Sequence, residues 1–217
     1  MAYLEFLQSR YQDIFVLLGQ HMTIAGLAVL FGACVAIPTA IILSRLQHVK
    51  VLQTITFTIA NIFQTIPTIA LLALLLPLFG IGMRPAIFAL FLYSLLPLLR
   101  NTYAGIQSVD EHVVTAAKGM GFNTFQRLYK IELPIAFPYI MSGIRLTTVY
   151  IISWTTLAAL IGAGGLGDFI VSGIGINNTY LIVTGAIAAI ILALITDLIL
   201  GKLENRTYKK SKAINEN

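Results

Sequence analysis

Charge is scarce in this chain. Of 217 residues, 11% are Asp, Glu, Lys or Arg and 58% are hydrophobic. A soluble domain carries about 25% charged residues, so the composition excludes one and predicts an integral membrane protein. Cysteine is nearly absent. Cys34 is alone, within an apolar run, so no disulfide can form inside the chain, and it reads as a small packing residue. The start lacks a basic run and holds Glu5 and Asp13, so no cleavable signal peptide is expected. No G-x-x-x-x-G-K-[ST] segment occurs, so no P-loop for ATP is present. No G-x-S-x-G nucleophile pattern occurs either. His21, His48 and His112 lie far apart without metal-ligand spacing and read as solvated or interfacial. Catalysis, a metal and a cofactor bound by this chain are all without a candidate.

What the chain does have is long apolar runs. Ile24–Ser44 is 21 residues without a charge, enough to cross about 30 Å of hydrocarbon. Val51–Met83 is also uncharged, though polar at Thr54, Thr56, Asn61, Gln64 and Thr65; its span is expected over 56–79, bent near Pro67. Ile135–Ile161 and Tyr180–Leu200 are two more spans, and the shorter Pro85–Leu99 is the third of five. The fold class is therefore all-α and polytopic.

The cations support that count. Five spans put Arg45, Lys50, Arg100, Lys118, Arg127, Lys130, Lys202, Arg206, Lys209, Lys210 and Lys212 on one side. Only Arg10 and Arg84 fall opposite, and Arg145 adjoins the basic side. Cytoplasmic loops carry the excess of Lys and Arg, so the N-terminus is expected outside and the C-terminus in the cytoplasm. The net charge of +5 is then a topology signal and not a nucleic-acid patch. Residues 1–22 carry Leu4, Leu7, Tyr11, Ile14, Phe15 and Leu18 at helical spacing. They suit a helix lying in the outer lipid interface, or one packed on a neighbouring subunit. Residues 23–203 form the spanning domain, and 204–217 a basic tail.

The 100–134 segment breaks the apolar pattern on the basic side. Ser108-Val-Asp-Glu111 reads as a capping box opening a helix to about Met120, and Gly121 is a natural C-cap. Asn123-Thr-Phe-Gln126 repeats the box, for a second helix to about Glu132, with Pro134 opening a new one. Ala116, Ala117 and Gly121 permit close backbone approach, while Phe122, Phe125, Leu128 and Tyr129 form an apolar ridge. That ridge packs either on the chain's own spans or on a partner.

Thr115-Ala-Ala, three residues, Gly121, nine residues, Ile131-Glu-Leu133-Pro134 resembles the cytoplasmic motif of ABC importer permeases, with Thr115 in place of the family's Glu. Gln64-Thr-Ile-Pro67, Ser142-Gly-Ile-Arg145 and Ile161-Gly-Ala-Gly-Gly-Leu-Gly167 resemble the branch importing glycine betaine, carnitine, choline and related osmoprotectants. The resemblance spans roughly residues 20–200. It implies the type I importer (MetI-like) permease fold in a bacterial cytoplasmic membrane. It also implies coupling to cytoplasmic ABC ATPase subunits through Thr115, Ala116, Ala117, Gly121, Ile131, Leu133 and Pro134. ATP and Mg are used by those partners. A second permease chain, identical or homologous, and an extracellular or periplasmic substrate-binding protein complete the set, in a lipid bilayer. At Thr115 the contact is either a weaker hydroxyl one, a local cap, or replaced by Glu111 one turn earlier.

Gly162, Gly164, Gly165 and Gly167 fit G-x-G-x-x-G but follow a membrane helix rather than a strand, so no nucleotide site is expected. They read as a flexible outer loop, either an ordinary connector or an outer gate and docking surface for the binding protein. Arg145 is expected to pair with a loop acid, and Asp197 to cap or pair. Tyr150 and Trp154 share one helix face. With a quaternary ammonium cargo that face would attract it by cation–π interaction; otherwise Trp154 faces lipid or core. A stand-alone secondary transporter would want mid-membrane acids and repeats, both missing here. An importer permease for another small solute, such as an amino acid, is the nearer alternative.

Overall fold

The computed structural model describes residues 2–46 and 49–215, with side chains for 3–46 and 49–208. His48 and the last two residues of the basic tail lie outside the described residues, as do the side chains of Lys209, Lys210 and Lys212.

The described residues form helices and no strands. α1 spans Ala2–Arg45, α2 Lys50–Thr65, α3 Thr68–Phe79, α4 Met83–Gln107 and α5 Glu111–Gly119. α6 is a single turn at Thr124–Arg127, α7 spans Leu133–Thr155, α8 Gly167–Gly175 and α9 Thr179–Asn215. Four stretches are long and apolar enough to cross a membrane: Tyr3–Arg45, Met83–Gln107, Thr124–Ile161 and Thr179–Tyr208. α2 and α3 make a fifth only as a pair, because they meet at 97°. The expected 56–79 span is thus two helices at a right angle. Ile66 is extended (ψ 129°) and Pro67 follows it. A residue before proline is driven out of the helical region, and proline brings no N–H to continue the ladder. The freed Ile66 carbonyl accepts a hydrogen bond from the Tyr93 hydroxyl.

Boundaries differ elsewhere too. α4 extends past Leu99 to Gln107, because Arg100-Asn-Thr-Tyr continues the helix rather than opening a loop. α1 runs without a break from residue 2 to 45, so the expected 1–22 helix is not set apart from the first span. α9 likewise continues from the span through the tail to Asn215. Cys34 faces outward rather than packing inside.

α4 is the centre of the bundle, against α1 on one side and α7 on another. Without water to drive association inside a membrane, helices meet where small side chains let backbones approach. A Cβ on Gly143 of α7 would come 2.6 Å from Asn101 Cβ, and one on Gly105 of α4 would come 2.6 Å from Tyr139 Cβ. α9 is tied to α7 by Arg145. Its guanidinium donates to Asp197 at 2.7 and 2.8 Å and to Glu204 at 3.0 Å. The pairing expected for Arg145 therefore exists, but its acids lie on α9 and not in the loop. One end of the bundle carries Arg45, α5 and α6, called the lower end below. The other carries the 162–167 glycines.

Candidate functional site

At the lower end, the segment after α4 folds tightly. The expected Ser108 box does not form. Ser108 still belongs to the end of α4, its hydroxyl donating back to the Gly105 carbonyl at 2.8 Å. Asp110 is the N-cap of α5 instead, accepting from the His112 N–H at 2.8 Å. α5 ends as expected at Gly121. Its φ of +81° is left-handed, the Phe122 N–H returns to the Ala117 carbonyl, and the Gly121 N–H to Lys118. This 6→1 and 5→2 pair closes the helix. The second box is complete: Asn123 accepts from the Gln126 N–H at 2.8 Å, and Gln126 accepts from the Asn123 N–H at 2.9 Å.

From Thr124 the chain does not stop and restart at Pro134. It continues as one 38-residue helical stretch to Ile161. Pro134 cannot donate to the ladder, and a π turn over Leu128–Glu132 takes up the mismatch, the Leu133 N–H reaching the Leu128 carbonyl. At 1.5 Å per residue the stretch is about 57 Å long. It joins the α5–α6 element directly to the glycine segment at the opposite end.

The predicted site residues divide by face. Thr115, Ala116 and Gly121 are exposed, and Ala117 is buried. Ile131, Leu133 and Pro134 are half-buried where the π turn meets α7. In the ridge, Phe122 and Leu128 are half-buried, but Phe125 is 68% and Tyr129 63% exposed, with their rings 5.1 Å apart. Large apolar side chains therefore stand exposed on the same capped helix–Gly–helix element as Thr115 and Ala116.

Two contacts were not anticipated. Glu132 is buried and receives both terminal nitrogens of Arg45, at 3.1 and 2.5 Å. A charge inside the Ile131–Leu133 run was the available signal, since a buried acid needs a cation partner. At the other end, His21 is fully buried, not solvated. Its Nε2 lies 2.9 Å from the Ile152 carbonyl, and its Nδ1 accepts from the Leu166 N–H at 3.2 Å. Beside it, the Gln20 carbonyl oxygen accepts from the Gly165 N–H at 3.0 Å.

The glycine segment packs against α1 at Gln20 and His21. Gly162, Gly164 and Gly165 have φ of +68°, +77° and +80°, a conformation open to glycine. Gly167 starts α8, where a Cβ would strike the Thr156 carbonyl. Trp154 is half-buried, its ring 4.9 Å from Tyr93 and 6.0 Å from Tyr150, and Tyr150 is 46% exposed. The Arg145 cluster and His21 are thus fixed structural ties. No group of three or more His, Cys, Asp or Glu is placed to hold a metal among the described residues.

The family model of the binding-protein-dependent transport system inner membrane component matches residues 36–209. The chain belongs to this family. The permease is 43% identical over 210 residues to the carnitine transport permease protein OpuCB of Listeria monocytogenes, covering 97% of this chain and 95% of the relative. It is also 43% identical over 202 residues to the choline transport system permease protein OpuBB of Bacillus subtilis (strain 168), covering 93% and 92%. Among solved structures, the inward-facing MetNI methionine ABC transporter matches with a TM-score of 0.77 at 21% identity, over 89% of this chain and 95% of that one. The permease therefore has the all-α type I ABC importer fold, and its family consists of transport components rather than enzymes.

Proposed function

We propose that this chain is the membrane-spanning subunit of an ATP-driven importer for small osmoprotectants such as glycine betaine, carnitine or choline. Its relatives' names supply the substrate class. The observation carrying the coupling role is the exposed face of Thr115, Ala116 and Gly121 on a doubly capped element, in a chain with no P-loop of its own. α5 seats in a cytoplasmic ABC ATPase that uses ATP and Mg, with Phe125 and Tyr129 as the apolar margin. Ile131, Leu133 and Pro134 form the joint through which α7 is moved. Thr115 cannot offer the charged contact of the family Glu. Glu111, exposed one turn earlier on α5, takes that part.

The helical stretch from Thr124 to Ile161 carries the motion to Gly162, Gly164, Gly165 and Gly167, which act as the outer gate facing a separate substrate-binding protein. Tyr150 and Trp154 offer an aromatic face to a quaternary ammonium on its way. The working unit is a permease pair in a bacterial cytoplasmic membrane, with the N-terminus outside and the C-terminus in the cytoplasm. Uptake of labelled glycine betaine, carnitine and choline by a reconstituted permease, ATPase and binding protein tests this. ATP-dependent uptake of at least one supports it, and ATP-independent uptake by the permease alone overturns it.

A further inference from the structure

We propose that the cleft between α2 and α4 is a station on the solute's route, with Arg100 holding the carboxylate of a zwitterionic solute. The proposal rests on the transport reading above and adds a location and a charge preference to it.

α2 has three faces. Phe57 and Ala60 pack toward α1 and α4, with the Phe57 ring 5.5 Å edge-on from Tyr103 of α4. Ile55, Ile59 and Ile62 form an exposed apolar flank. Between these lies a third stripe: Thr54, Thr58, Asn61 and Thr65, four, three and four residues apart, all exposed. Thr54 and Thr65 satisfy their hydroxyls on the backbone, donating to Lys50 and Ile62 carbonyls. Among the described residues, the side chains of Thr58, Asn61 and Arg100 have no hydrogen-bond partner, and Arg100 has no ion pair.

Exposed amide and guanidinium groups on a span are costly in lipid and stand where water or a partner satisfies them. Asn61 is eleven residues beyond Lys50, about 16 Å along the helix. The stripe borders a cleft of about 430 Å³ lined by Gln53, Thr54, Phe57, Thr58, Asn61 and Arg100. That is ample for a small solute.

The chemistry of the cleft has a sign. Arg100 is an unpaired fork of donors suited to a carboxylate, while the Phe57 ring suits a trimethylammonium group. Tyr103, one turn beyond Arg100, holds Phe57 on the same side. A zwitterion with both groups fits; a bare cation meets Arg100 with like charge. The stripe also continues the aromatic face. Tyr93, two turns before Arg100, packs on Trp154 and donates to the Ile66 carbonyl just above Thr65.

The test uses the whole transporter in lipid nanodiscs, with exposed Cys34 replaced (Cys34→Ala). Thr58→Cys and Asn61→Cys are expected to react with a charged methanethiosulfonate at least tenfold faster than Ile55→Cys and Ile59→Cys. Equal or reversed reactivity overturns the aqueous route and makes the stripe a contact with a second copy. In liposomes, Arg100→Gln is expected to lower the ratio of glycine betaine to choline uptake at least tenfold, with Arg100→Lys in between. Loss of both solutes in proportion overturns the carboxylate role and points to folding or a lipid headgroup. Wild-type uptake of choline but not glycine betaine also overturns it. If the wild type imports neither by ATP, the transport reading itself has failed.

Discussion

Arg45 holds Glu132 across 87 residues of sequence, with both terminal guanidinium nitrogens on one carboxylate. Together with His21 and Ile152, this contact ties α1 to the Thr124–Ile161 helical stretch at two levels. Removing one partner of a buried pair leaves the other charge stranded, at about 3–5 kcal/mol. Arg45→Ala should therefore lower the thermal midpoint of the purified complex by several degrees. The exchanged pair, Arg45→Glu with Glu132→Arg, should recover part of that loss.

His21 should act at a distance from the lower end. Only a neutral ring protonated on Nε2 satisfies both Ile152 and Leu166. His21→Ala leaves two buried backbone groups unpaired, at about 1–3 kcal/mol each. Hydrogen exchange of the 162–167 amides should speed about tenfold or more, since about 1.4 kcal/mol is a factor of ten. The amides of 110–127 should not follow.

Gly121 is required for its backbone and not for its small size. Nothing lies within 4 Å of a Cβ built there, yet its φ is +81°. A side chain in that conformation costs about 1–2 kcal/mol, except that Asn tolerates it. Gly121→Val should therefore lower the thermal midpoint, and Gly121→Asn should leave it within a degree or so.

Tyr150 and Trp154 should separate. Trp154 packs on Tyr93 in the core, while Tyr150 is half open. Trp154→Ala should reduce both stability and uptake, and Trp154→Phe should retain most of each. Tyr150→Ala should reduce uptake several-fold with the midpoint unmoved. Uptake equal to wild type in every variant would remove this face from the route.

What could be read from sequence was what depends on near neighbours. Asn123 and Gln126 complete each other within one turn, and Gly121 closes a helix whose other partners are three to five residues away. Ser108 misled because the same hydroxyl that can start a helix can also bond back to the end of the preceding one. The Pro67 break was visible but its angle was not, since that depends on Tyr93 and the packing of α3 on α4. His21 and Glu132 were missed because their partners are 131 and 87 residues away. Arg145 showed its need for an acid, and only the packing of α9 on α7 decided which.

The central claim is that the Thr115–Pro134 element transmits ATPase work into the membrane, and Gly121→Asp tests it most directly. The position is exposed, with open space around it, so the added carboxylate meets a docking partner or nothing. The uncharged Gly121→Asn controls for shape. The measurement is ATP hydrolysis by the reconstituted complex, with and without solute-loaded binding protein. The account predicts that Gly121→Asp leaves the permease folded in the membrane while solute-stimulated hydrolysis falls to the unstimulated rate, and that Gly121→Asn keeps its stimulation. Full stimulation in the Asp variant would contradict the account.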